Sequence, residues 1–187
     1  QKLGKLISER MELSGEPDVS ALQKFIHHYK NPVHSVTIAM CGKYTELPDA
    51  YKSVLEAFNH AGVENDAHIK IRWVATENLR SPDQCRNEFA SVSGILLLPG
   101  FGKRGSEGKI LACQYAREHR IPFFGICLGL QCAVIEFARN VCGLKKANST
   151  EFDSKTPYPV IDLMESQRMV KRKGGTMRLG AYKCDLN

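Results

Sequence analysis

Two uninterrupted apolar runs, residues 94–98 (GILLL) and 121–126 (IPFFGI), stand one helical stretch apart in the sequence. A run without polar alternation suits a strand buried on both faces, and a parallel sheet covered by helices provides that burial. The same alternation extends in both directions. Residues 36–40 (VTIAM) read as a strand stopped by Gly42. Pro48 and Asp49 open a helix that carries Val54, Leu55, Phe58 and Ala61 on one face, with Gly62 beyond its end. Residues 69–74 form a strand, with Ile69, Ile71 and Trp73 on one side. Ser81 caps a helix with Pro82 in its first turn. Residues 107–120 and 128–142 are helical, the latter closed by Gly143, and 160–164 fit one further strand. The order β-α-β-α-β-α-β-α predicts an α/β fold: a mostly parallel sheet with right-handed crossovers and helices on both faces, in flavodoxin-like layering.

Residues 1–32 differ from this pattern. Ser14-Gly15-Glu16-Pro17-Asp18 is a turn-rich break. Val19, Leu22, Phe25 and Ile26 then recur at helical spacing up to Asn31-Pro32. This segment reads as a linker and helix leading into a domain over 33–187. The 187 residues suffice for one domain with a short appendage. No apolar run approaches the ~20 residues that span a bilayer, and no signal peptide is visible. The net charge of +6 comes from scattered basic residues rather than a basic stripe with interleaved aromatics, so a nucleic-acid partner is not expected. The seven cysteines include no CxxC pair, which argues against a zinc site. Most lie inside apolar patterns and read as small buried hydrophobes, which points to a reducing, cytoplasmic setting.

Cys127 breaks that pattern. In Gly125-Ile126-Cys127-Leu128-Gly129 a strand ends, one residue follows and a helix begins, with glycine two before and two after the cysteine. This is the sequence form of a nucleophile elbow. A larger side chain at Gly125 or Gly129 would collide with neighbouring backbone. The helix start aims free N–H groups and partial positive charge at the tip, a setting in which a thiol serves as a nucleophile. The Leu128 N–H is placed to stabilise an oxyanion. The preceding buried strand ends in Pro99-Gly100-Phe101-Gly102. Neighbouring parallel strands end side by side, so Gly100 should face Cys127 and complete the oxyanion hole. A buried structural cysteine beside a plain glycine-rich loop is the competing reading. Residues 102–109 (GKRGSEGK) suggest a phosphate loop, but the spacing is one residue too long and Ile110 stands where Ser or Thr is required, so ATP binding there is rejected.

These strings resemble the class I glutamine amidotransferases. LPDAYKSV (47–54), PGFG with Arg104-Gly105 and Glu107-Gly108, ANSTEF (147–152) and GGTMRLG (174–180) resemble, more narrowly, the glutaminase domains of the CTP synthase family. The resemblance runs from about residue 35 to 180. It implies that Cys127 attacks the side-chain amide of L-glutamine to give a glutamyl thioester, ammonia and then glutamate. It implies that Gly100 and Leu128 form the oxyanion hole. Phe101, Gly129, Leu130 and Gln131 would line the substrate pocket with them, and Gln131 and Glu151 would hold the amino-acid end. No metal or cofactor is implied in this domain. For the full-length family enzyme the resemblance implies a synthetase domain in the same polypeptide that aminates UTP to CTP with ATP and Mg, GTP as stimulator, and assembly into tetramers and filaments. Two departures stand out. The family's PGGFG loop is PGFG here, and its general base, a histidine followed two residues later by glutamate, is missing: no histidine follows His119. The expectation is a domain whose C-terminal part is incomplete in this sequence. A non-catalytic glutamine-binding or assembly module is the alternative, as is another cysteine hydrolase of the same superfamily.

Overall fold

A computed structural model describes residues 3–15 and 18–164. The motif GGTMRLG and Cys184 lie outside the described residues. The chain forms two compact units. The first comprises residues up to 36 together with 51–69, and the second 37–50 with 70 onward.

The first unit contains α1 (Leu3–Arg10), α2 (Ser20–Lys30) and α3 (Lys52–Glu64). The α2 helix ends at Asn31, whose side-chain amide and backbone N–H both bond to the His27 carbonyl. Asp66 ties the two ends of this unit together. Its carboxylate meets the His28 ring, and its carbonyl accepts the N–H of Val33 at 2.8 Å. Pro48 and Asp49 begin a single 3-10 turn, Pro48–Tyr51, and the α-helix proper follows at Lys52. The helix also runs past Gly62 to Glu64, so Gly62 is not its stop. Glycine is needed there for packing: a Cβ would stand 2.6 Å from the Ala67 carbonyl oxygen.

The second unit holds most of the sheet. Strands β1 (His34–Gly42), β2 (Ala67–Ala75), β3 (Gly94–Leu97) and β4 (Phe123–Gly125) lie in the order β2-β1-β3-β4. β1 with β3 and β3 with β4 are parallel. All four residues of β3 are buried, because helices and neighbouring strands enclose it. Leu97 and Leu98 are fully buried, as are Cys41, Cys132 and Ile135 around them. Each such large aliphatic contributes about 1.5–3 kcal/mol of burial free energy. β4 departs from the expected buried strand. It is three residues long, closes one edge of the sheet, and leaves Phe124 66% exposed. The edge position leaves one side of the strand uncovered among the described residues.

Three helices complete this unit: α4 (Pro82–Glu88), α5 (Ser106–His119) and α6 (Leu128–Asn140). Ser81 caps α4 as expected, its hydroxyl accepting the Gln84 N–H at 3.3 Å. α5 closes on Arg120 in the left-handed conformation, φ 55°. α5 and α6 are joined by Arg117, which grips the buried Glu136 carboxylate with contacts of 2.7 and 3.1 Å. A second small sheet pairs β5 (Ala147–Ser149) with β6 (Tyr158–Ile161) in parallel. The strand expected at 160–164 thus begins earlier and ends at Ile161. β5 was not foreseen, since three residues with two polar side chains carry no periodic signal. No helix among the described residues is long and apolar enough to cross a membrane.

Candidate active site

Parallel register brings two strand ends level. Leu97 of β3 pairs with Gly125 of β4, and the Leu97 carbonyl accepts the Ile126 N–H at 2.9 Å. Two residues beyond each partner stand Pro99 and Cys127, and one further stand Gly100 and Leu128. Contact confirms that alignment, since a Cβ on Gly100 would lie 3.6 Å from Leu128 Cδ2. The Gly100 turn and the cysteine turn are therefore neighbours at the C-terminal end of the sheet, where open α/β sheets bind ligands.

Cys127 is the residue between strand and helix. It is exposed, unlike Cys41, Cys85, Cys113 and Cys132, which are buried. Burial pushes those four thiols up, Cys85 and Cys132 to about 11, because a thiolate is poorly solvated there. Cys142 is the other exposed thiol among the described residues, but it lies beyond the end of α6. The backbone at Cys127 has φ 53° and ψ −107°, a region L-residues rarely enter. Two glycines make so sharp a junction possible. A Cβ on Gly125 would be 2.5 Å from the Gly129 carbonyl carbon, and one on Gly129 would be 2.6 Å from the Leu97 carbonyl oxygen. Neither position tolerates a side chain, as the sequence pattern required. Leu128 opens α6, so its N–H has no intrahelical acceptor. Among the described residues, neither that N–H nor the one on Gly100 finds an acceptor.

The side chain of Leu128 is buried, whereas Leu130 is 59% exposed and Gln131 and Phe101 are half-buried. Glu151, in the turn after β5, accepts the Gly102 N–H at 2.7 Å. Its carboxylate therefore ties the ANSTEF segment to the glycine turn. Lys43 grips the same turn, its Nζ donating to the carbonyls of Phe101 at 2.5 Å and Gly102 at 3.1 Å. Partial burial, and then the nearby Arg104 guanidinium, lower the pKa of Lys43, while Glu151 works the other way. Lys109 supports the turn from the interior, where its Nζ is bonded to the Leu98 carbonyl. Sequence reasoning treated Lys109 only as the end of a false phosphate loop. In the structure it is fully buried and its ammonium is turned to the backbone. Its position on the stripe shared with Cys113 and Ala116 was the available signal: a lysine among buried helix positions.

The described residues hold no cluster of three His, Cys, Asp or Glu side chains able to bind a metal ion. One histidine, His119, belongs to the unit that carries Cys127. It is the last residue of α5, stacked on Tyr115 at 3.9 Å between ring centres. Because α5 returns the chain to the start of β4, His119 sits at the opposite end of the sheet from Cys127. It keeps the helix-end position the sequence suggested.

The family model for class I glutamine amidotransferase matches residues 46–187. This chain belongs to the class I glutamine amidotransferases. The amidotransferase is 56% identical over its whole length to a CTP synthase of Cytophaga hutchinsonii, of which it covers 35%. It is 54% identical, over 96% of its length, to a CTP synthase of Methanocaldococcus jannaschii, of which it covers 34%. It thus spans about a third of the length of these curated relatives. The glutaminase domain of CTP synthase from Trypanosoma brucei, solved with bound acivicin, superimposes with a TM-score of 0.66 at 41% identity. That match covers 71% of this chain and 52% of the other. The parallel sheet with its helices is the fold of this family, as the sequence order predicted.

Proposed function

We propose that this amidotransferase domain hydrolyses L-glutamine as the ammonia-producing part of a CTP-forming enzyme. The observation that carries the reading is the exposed Cys127 at a strained strand-to-helix junction, beside the amides of Gly100 and Leu128. The Cys127 sulfur attacks the side-chain amide carbon of glutamine. The developing oxyanion is received by those two N–H groups, ammonia leaves, and water cleaves the thioester to glutamate. Phe101, Gly129, Leu130 and Gln131 line the pocket. Glu151 draws the substrate ammonium while one carboxylate oxygen keeps its bond to Gly102. Proton transfer requires a base, and the histidine–glutamate pair that serves the family is not among these 187 residues. The remainder of a longer polypeptide supplies it in this reading. There too lie the synthetase part that uses the ammonia to aminate UTP, its ATP, Mg and GTP dependence, and the contacts of a cytoplasmic oligomer. The position of His119 at the far end of the sheet favours a second reading, a glutamine-binding module without turnover.

Full-length protein treated with acivicin, the compound bound by the Trypanosoma brucei domain, separates these outcomes. Peptide mapping is expected to find the label on Cys127, and L-glutamine to block it. The exposed Cys142 should remain unlabelled, and Cys127→Ala should abolish glutamate release. Equal labelling of Cys127 and Cys142, unaffected by glutamine, sinks both readings. Protected labelling without any glutamate release leaves the binding module.

A further inference from the structure

We propose that Lys109 is a positioning residue for the cysteine site: its buried ammonium fixes the Leu98 carbonyl and through it holds the Gly100 N–H at the Cys127 junction. The inference rests on the glutaminase reading and adds a residue to it.

The peptide of Leu98 is clamped on both sides. Its N–H donates to the Cys41 carbonyl of the central strand at 2.9 Å, and its carbonyl accepts from Lys109 Nζ. Leu98 is the last fully buried residue before the turn, so the direction taken by Pro99 and Gly100 is set at this peptide. Beyond it, Lys43 and Glu151 hold Phe101 and Gly102. Charged side chains thus occupy the turn's carbonyls at 98, 101 and 102, while the Gly100 N–H stays open beside Leu128. An oxyanion donor has to be fixed before the charge develops, because reorganising it during the reaction forfeits most of its effect.

Stability alone does not explain a lysine there. Lys109 is fully buried, and among the described residues its ammonium bonds to a backbone carbonyl rather than to a carboxylate. Its electrostatic neighbours are Cys132, Lys43, Cys41 and Cys127. An ammonium taken out of water with a single carbonyl and no counter-charge is costly relative to an apolar chain of the same length. A position that burdens the fold while touching the backbone of the site fits a role in the site.

Lys109→Met in the full-length protein tests this. Removing the ammonium should leave the urea midpoint equal or higher. Glutaminase kcat should fall about tenfold with KM within twofold, the pattern of an interaction realised in the transition state. A kcat within twofold of the parent overturns the proposal, as does a loss spread equally over kcat and KM. An unfolded variant also overturns it, by assigning Lys109 to folding. If the parent protein itself shows no glutamine-protected labelling of Cys127, the glutaminase reading has failed. If the parent labels and only the variant's kinetics are unchanged, this inference alone has failed.

Discussion

At the residue scale the junction at Cys127 combines strain with exposure. A non-glycine residue at φ 53° and ψ −107° costs on the order of 1–3 kcal/mol. Cys127→Gly relieves that strain, whereas Cys127→Ala keeps it. Glycine at 127 is therefore expected to raise stability by about 1 kcal/mol over alanine, read from urea midpoints, although its unfolded chain is the more flexible. Equal midpoints would mean that the junction is relaxed. Gly125 and Gly129 were legible in the sequence because the strand–turn–helix context dictates close backbone approach. The carboxylate partner of the turn was not: Glu151 reaches Gly102 across 49 positions, and only folding reveals such a pairing.

Among the elements, α5 and α6 form the scaffold behind the site. α6 carries Leu128 at its first turn, and α5 carries Lys109. Arg117 and Glu136 join them. The Glu136 side chain is 3% exposed and that of Arg117 37%. Its partner raises the pKa of Arg117, chiefly through the hydrogen bonds to Glu136. The Asn140 amide adds a bond of 3.0 Å to the same carboxylate. Glu136→Gln should cost about 2 kcal/mol in chemical denaturation, a moderate figure because the arginine end reaches water. No change would show that the pair contributes nothing net. The helices themselves were readable from their apolar spacing, and their ends less so. Gly62 looks like a helix stop, yet it lies inside α3, where a tertiary contact rather than a turn demands glycine. β4 looks buried from its composition, but among the described residues it lies at a sheet edge and Phe124 is exposed.

For the whole molecule, buried titratable groups set the alkaline behaviour. Burial holds Lys109 down to about 8, against an ordinary 10.5. Its contribution is unfavourable below pH 8, where both folded and unfolded forms are charged. Stability then rises with pH between about 8 and 10.5, because the unfolded chain binds the extra proton. The buried thiols have the opposite sign. Their folded pKa values lie above the ordinary 9.0, so their contribution is complete below pH 9 and is lost toward pH 11 and beyond. With four buried thiols against one buried lysine among the described residues, thermal unfolding should move to lower temperature between pH 9 and 11. Lys109→Met should fall more steeply, having lost the compensating rise; parallel profiles would refute the assignment. By itself the sequence determined the β-α order, the parallel sheet and the cysteine at its turn, because these follow from unbroken apolar runs, from the helical period of 3.6 and from glycine spacing within a few residues. Only the tertiary structure decided which charges brace that turn. Lys43, Lys109 and Glu151 come from a strand end, a helix and a distant loop. Their meeting depends on strand register and helix packing, which no local pattern encodes.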